Sequence, residues 1–100
     1  MPKTLTPLTR DLIVDELANI PEKYQKNFNS THEGYAVILE EVRELENEVF
    51  FGEKKARKDV DLIDPDNARI AGAKLHRQRM KEEAVQIAAM CVRFIQELTD

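Results

Sequence analysis

The residues of this sequence best suited to chemistry are glutamates. Glu40, Glu41, Glu44 and Glu48 follow one another at short spacing, and Glu83 stands further along with Gln86 three residues on. At about 100° per residue, Glu41, Glu44 and Glu48 share one stripe of a helix, and Glu41 lies at the edge of its apolar face. Glu83 occupies a similar place beside the apolar stripe of a later helix. Two helices packed along those faces bring Glu41, Glu44 and Glu83 into a partly buried cleft. Carboxylates so placed repel one another unless a cation neutralises them. Mg²⁺ suits such a site, because it is hard, takes oxygen ligands and commonly joins one or two carboxylates to substrate phosphates. The plainer alternative is a solvated glutamate face, with Arg43 beside Glu40 or Asn47 and Arg79 beside Glu83 at helical spacing.

Three helices must position these groups, over about residues 6–20, 31–51 and 65–98. The first opens at Thr6-Pro7, a capping hydroxyl followed by a proline whose missing N–H would be unpaired there anyway. Leu8, Leu12, Ile13, Leu17 and Ile20 give it an apolar stripe, and Pro21 ends it by restricting the residue before it. Tyr24 and Phe28, in a polar connector, are expected to pack down onto the domain. Ser30 and Glu33 form a capping-box pattern, and Tyr35, Ile38, Leu39, Val42, Leu45 and Val49 recur at helical spacing up to a stop at Gly52. The run EKKARKDVDLID reads as a charged connector with Val60, Leu62 and Ile63 tucked against the core. Asp64, Pro65 and Asp66 give the third helix a cap, a first residue and a charge complementing its dipole. That helix is about 50 Å long at ~1.5 Å per residue, with Gly72 as its weak point.

The third helix is apolar on two sides. Met80, Ala84, Ile87, Ala88, Cys91, Phe94, Ile95 and Leu98 form one face; Val85, Ala89 and Val92 form another, roughly opposite. A helix apolar nearly all round is buried nearly all round. Three helices of one chain can hardly cover both faces, so an all-α bundle completed by a homodimer or higher homo-oligomer is expected. With 100 residues, 42% hydrophobic and 34% charged, the chain has the size and composition of one globular domain. A net charge of −4 argues against general binding of nucleic-acid polymers, which calls for a basic footprint. The start MPKTLTPLTR lacks the apolar segment of a signal peptide, and no run is long enough to span a bilayer, so the cytoplasm is the default location. The single cysteine, Cys91, supports neither a disulfide framework nor a thiolate zinc site.

The stretch HEGYAVILEEVRELENEV, followed by KEEAVQIAAMCVRFI, resembles the all-α nucleoside triphosphate pyrophosphohydrolases of the MazG-like superfamily, most of all their small phage- and prophage-borne members. The resemblance covers roughly residues 28–98. It implies Glu-x-x-Glu on one helix and Glu-x-x-Asp on a later one, four acids that together bind Mg²⁺ for hydrolysis between the α- and β-phosphates of a nucleotide. Glu41 and Glu44 match the first pair, preceded by the frequent extra acid at Glu40, and Glu83 opens the second. The fourth position departs from the pattern, because Gln86 offers a neutral carbonyl oxygen in place of a carboxylate. The metal set implied is thus Glu41, Glu44 and Glu83 with Gln86 as a weakened ligand. Glu40 or Glu82 is a candidate general base.

Basic residues supply candidate phosphate contacts: Lys54, Lys55, Arg57 and Lys58 from the connector, and Arg79 with His76 on the third helix. Each has an ordinary reading beside this one, a solvated loop for the first four and an ion-paired Arg and partly buried His for the others. His32 reads as a surface or capping residue and Cys91 as a small hydrophobe. The expected function is Mg²⁺-dependent nucleotide binding, with release of pyrophosphate from nucleoside triphosphates as its activity. The competing expectation is a catalytically inactive helical interaction protein of the same fold. A coiled-coil adaptor fits poorly, because the apolar stripes lack sustained heptads with opposed flanking charges.

Overall fold

The computed structural model describes residues 4–20, 26–63 and 65–100, and these are all-α. Helix α1 spans Pro7–Ala18, α2 spans Thr31–Asp61 and α3 spans Ala68–Phe94. A 3₁₀ turn, Pro65–Asn67, leads into α3, and a π-helical turn, Ile95–Thr99, extends it. No described helix is long and apolar enough to cross a membrane.

Local chemistry accounts for most of the boundaries. Thr6 caps α1 by accepting the Thr9 N–H at 3.2 Å, with Pro7 in the first turn. The helix closes at Asn19, whose backbone N–H returns to the carbonyls of Asp15 and Glu16 and whose side-chain amide donates to Asp15 at 2.8 Å. Ser30 accepts the Glu33 N–H at 3.1 Å, and the Glu33 carboxylate reaches back to Asn29, taking its side-chain amide at 2.9 Å. The capping box is therefore present with Asn29 as its second donor. Pro21, Tyr24 and the Asp64 cap lie outside the described residues.

Two expectations are corrected. Gly52 does not stop α2; it is buried within the helix, which runs on to Asp61. The supposed connector Glu53–Asp61 is helical because Lys, Arg, Ala and Glu are good helix formers and no proline intervenes. Val60 is half-buried in that helix, but Leu62 and Ile63 are 88% and 86% exposed instead of tucked in. They sit past the last turn of α2, where no layer of their own unit covers them.

The chain divides into two compact units. The terminal unit joins Met1–Leu39 to Val85–Asp100, and the central unit is Glu40–Ala84. In the terminal unit Phe28 and Ala89 are buried, and Gly34 lies where a Cβ would stand 2.7 Å from Phe94 Cδ2 and 2.8 Å from Leu98 Cδ1. Arg93, only 6% exposed, pairs with Glu97 at 2.9 Å, donates to the Lys26 carbonyl at 2.9 Å and stacks 4.4 Å from the Phe28 ring centre. Glu97 also accepts the Phe28 N–H at 2.8 Å. Every charged group in this buried set is thus matched, as burial of charge demands.

The central unit is a helical hairpin made by the later part of α2 and the earlier part of α3. Ala56 is fully buried in it, and a Cβ at Gly72 would stand 2.9 Å from the Arg57 Cα. Gly72 is therefore the point of close helix–helix approach that the absence of a side chain permits. Among the described residues, Phe28, Ala56 and Ala89 are the buried apolar ones, while Val42, Val49, Phe50, Phe51 and Ile70 are exposed large hydrophobics of the central unit. Both apolar faces of α3 are mostly half-buried.

Candidate metal centre

The central unit brings glutamates from its two helices to one point. Glu41 and Glu44, three residues apart on α2, meet Glu83 of α3, each offering a carboxylate oxygen within 4.8 Å of the others. Glu41 and Glu83 are half-buried and Glu44 is exposed. Their α2 carboxylates face α3 because Glu41 and Glu48, seven residues apart, lie on the same side of the helix as Gly52 and Ala56, which are buried.

The electrostatics follow from the company these acids keep. Burial, then the charge of Glu44, a hydrogen bond with Glu44, and the charges of Glu83 and Glu40 push the Glu41 carboxyl up to about 7. Burial, Glu44, Glu48 and Glu82 likewise raise Glu83. Glu41 thus takes up its proton as the pH falls through about 7. Glu41 Oε2, Glu48 Oε1 and Glu83 Oε2 are shielded from solvent and have no hydrogen-bond partner. A buried acceptor left unpaired loses its hydration without compensation, roughly 1–3 kcal/mol and more when charged. Carboxylate oxygens are the kind of donor that hard divalent cations take. One carboxylate oxygen from each of Glu41, Glu44 and Glu83 would hold such an ion.

The remaining candidates are distributed differently. Gln86 is half-buried on α3, one turn past Glu83, and belongs to the terminal unit. Lys54, Lys55, Arg57 and Lys58 are exposed on helical turns of α2, where a loop was expected. Arg79 pairs with Asp59 at 2.8 Å and not with Glu83, because Asp59 offers it an unshared carboxylate from the facing helix. His76 is half-buried, and its Nε2–H donates to the Glu48 carbonyl at 2.9 Å; a carbonyl can only accept, which fixes the proton on Nε2. The ordinary reading of His76 and Arg79 is the one these bonds describe. His32 is exposed on the first turn of α2, and Cys91 is half-buried.

Glu48, on the stripe of Glu41 and Glu44, is half-buried with an unpartnered Oε1 but is not one of the three glutamates that converge. A Cβ at Gly52 would collide with the Glu48 carboxylate, standing 2.5 Å from Cδ and 3.0 Å from Oε2. Glycine at 52 is what lets that carboxylate lie back along the helix. Compared with family models, curated proteins and solved structures, the chain matches none.

Proposed function

We propose that the chain binds a divalent cation, Mg²⁺ in the first place, through Glu41, Glu44 and Glu83, and with it a nucleotide whose α–β phosphoanhydride is hydrolysed to a monophosphate and pyrophosphate. The observation that carries the metal reading is the convergence of three carboxylates, two of which, Glu41 and Glu83, keep a buried oxygen without a partner. The nucleotide reading adds the resemblance of the Glu41/Glu44 and Glu83 segments to MazG-like pyrophosphohydrolases. A cation held there supplies charge to phosphoryl oxygens and acidifies a bound water. The chain's own residues do the rest: Glu41 gives up its proton as the site fills, and Glu40 or Glu82, adjacent in sequence to the ligands, stands ready to take one from water. Lys54, Lys55, Arg57 and Lys58 form an exposed basic run suited to a polyphosphate. A second copy of the chain is the partner this reading adds, since seven large apolar residues of the central unit, Leu62 and Ile63 among them, stand exposed.

Gln86 favours a second reading, a helical interaction protein of the same fold that has lost turnover. Titration calorimetry with Mg²⁺, together with pyrophosphate release from a panel of nucleoside triphosphates, separates the two. The enzyme reading expects binding that Glu41→Gln abolishes, with turnover lost alongside. Turnover appearing only in Gln86→Asp marks a decayed enzyme, and wild-type protein that binds no Mg²⁺ ends the metal reading.

A further inference from the structure

We infer that the back of α2, from Phe50 to Lys58, docks a single-stranded nucleic acid, with bases stacked on Phe50 and Phe51 and phosphates paired with Lys54, Lys55 and Lys58. This stands apart from the cation reading. It uses none of the converging glutamates, and Lys54 follows Glu44 by ten residues, about 15 Å of helix.

Helical spacing assembles this face. Gly52 and Ala56, both buried, mark the side of α2 turned into the hairpin. Phe50 and Lys54 each lie two residues, about 200°, from Gly52, and Lys54 and Lys58 stand in the same relation to Ala56. These side chains therefore project from the opposite side of the helix. Phe50 and Phe51 are 73% and 71% exposed there, and Lys54, Lys55 and Lys58 are exposed with them. Among the described residues no carboxylate pairs with any of the three lysines. With Phe50 as the origin, Lys54 stands at about 40° round the axis, Lys58 at about 80° and Phe51 at about 100°. Two ammonium groups thus fall between the two rings.

That interleaving chooses the occupant. A helix lying in a bilayer surface presents a continuous apolar side and carries its cations on the other, and here the cations divide the apolar side. A single strand alternates planar bases with phosphates, and proteins that hold one combine a cationic track with aromatic side chains on which bases stack. The net charge of −4 argues against electrostatic binding over the whole surface, but charge is segregated: from Asn47 to Lys58, Lys54, Lys55, Arg57 and Lys58 stand against Glu48 and Glu53. The face is about 12 Å long from Phe50 to Lys58, room for a few nucleotides. Val49 lies about 100° from Phe50 and about 200° from Phe51, with Val42 on its own side, so a second copy seated on those valines leaves the rings free.

The test is fluorescence anisotropy of a labelled oligothymidylate titrated with the full chain in EDTA, which keeps the cation site out of the measurement. Three phosphates neutralised on a single strand give a log–log salt slope of about −2, so affinity is expected to fall about twentyfold between 50 and 200 mM salt. Phe50→Ala and Phe51→Ala should each weaken binding about fivefold or more, while Phe51→Trp keeps it. Lys54→Ala should make the salt slope shallower by about one. An abasic strand of the same length should bind as weakly as the alanine variants. Thermal unfolding of the variants, expected to match wild type because these side chains are exposed, separates loss of binding from loss of fold. Binding that needs the lysines but is indifferent to both rings and to the bases is attraction to any polyanion and overturns the inference. Capture by phosphatidylserine vesicles without binding of the strand overturns it in favour of a membrane surface. A dimer in sedimentation that Phe50→Ala or Phe51→Ala dissociates overturns it in favour of a second copy. A strand left unbound at 50 mM salt also overturns it and leaves the cation reading untouched, just as a failed Mg²⁺ titration leaves the strand reading standing.

Discussion

Glu97 in the terminal unit and Glu41 in the central unit are the same side chain in opposite circumstances. Burial acts upward on Glu97, but the hydrogen bond from Arg93, the Phe28 N–H and the Arg93 charge outweigh it and hold the carboxyl below its ordinary value. Burial acts upward on Glu41 too, and its neighbours Glu44, Glu83 and Glu40 push the same way, to about 7. One carboxylate has an arginine and a backbone donor; the other has only carboxylates. The chain satisfies a buried acid completely at one place and leaves three buried acid oxygens bare at another, and perturbed acids of the second kind are the ones that mark candidate functional sites.

The largest effect should come from breaking the satisfied region. Arg93→Ala leaves Glu97 and the Lys26 carbonyl without their donor and removes the guanidinium from the Phe28 ring. Loss of one partner from a buried pair costs about 3–5 kcal/mol, so a large drop in denaturant midpoint is expected. A loss under about 1 kcal/mol would mean that water replaces the guanidinium and that the pair is ordinary.

Glycine substitutions sharpen the contrast next. At Gly34 a Cβ meets Phe94 and Leu98 at 2.7 and 2.8 Å, and at Gly72 it meets the Arg57 side chain at 2.7 Å and its Cα at 2.9 Å. Overpacking of this kind costs about 1–3 kcal/mol, which exceeds the ~1 kcal/mol that alanine gains over glycine in a helix. Gly34→Ala and Gly72→Ala should therefore both destabilise, Gly72→Ala the more because backbone cannot step aside. Thermal unfolding of the two variants checks the order.

These glycines also show where sequence reading succeeded and where it stopped. The three helices were legible from apolar spacing, and the caps at Thr6 and Ser30 from local chemistry, because both depend on near neighbours. The meeting of Glu41, Glu44 and Glu83 followed from packing two stripes face to face. Gly52 was misread as a stop, since a glycine that makes room for a side chain on its own helix looks the same in sequence as one that ends it. Leu62 and Ile63 were placed inside on hydrophobicity alone, although burial needs a layer to cover them. The Arg79–Asp59 pair joins the two helices of the hairpin, and residues twenty apart carry no periodic signal.

The pH dependence should run in opposite directions in the two regions. Glu41's folded value lies above its unfolded value of 4.5, so the folded state binds the extra proton between about 4.5 and 7. The stability this gives is fully present below 4.5 and is lost as the pH rises through 7. One proton sets a ceiling of about 1.4 kcal/mol per pH unit, reduced by solvent screening at a half-buried group. Glu97 behaves in reverse: its contribution is present above 4.5 and is lost as the pH falls through its lowered folded value. Thermal unfolding in EDTA should fall from pH 5 to pH 8, flatten in Glu41→Gln, and recover at pH 8 on adding Mg²⁺ if the cation takes the proton's place. A flat wild-type profile would remove the electrostatic strain on which the contrast depends.

The smallest effect belongs to the pair that links the two helices of the hairpin from its surface. Arg79 and Asp59 are 30% and 41% exposed at their side chains, and exposed pairs contribute about 0.2–1 kcal/mol. Asp59→Asn should therefore shift the unfolding midpoint only slightly, while Arg79 loses its charged partner. That release makes the variant informative. If the guanidinium serves a phosphate, freeing it should tighten binding of a nucleoside triphosphate measured by calorimetry, with Arg79→Ala weakening it. If both variants bind as wild type does, Arg79 is a structural residue and the phosphate contacts must come from the exposed basic turns of α2, where Lys54→Ala and Lys55→Ala then become the decisive pair.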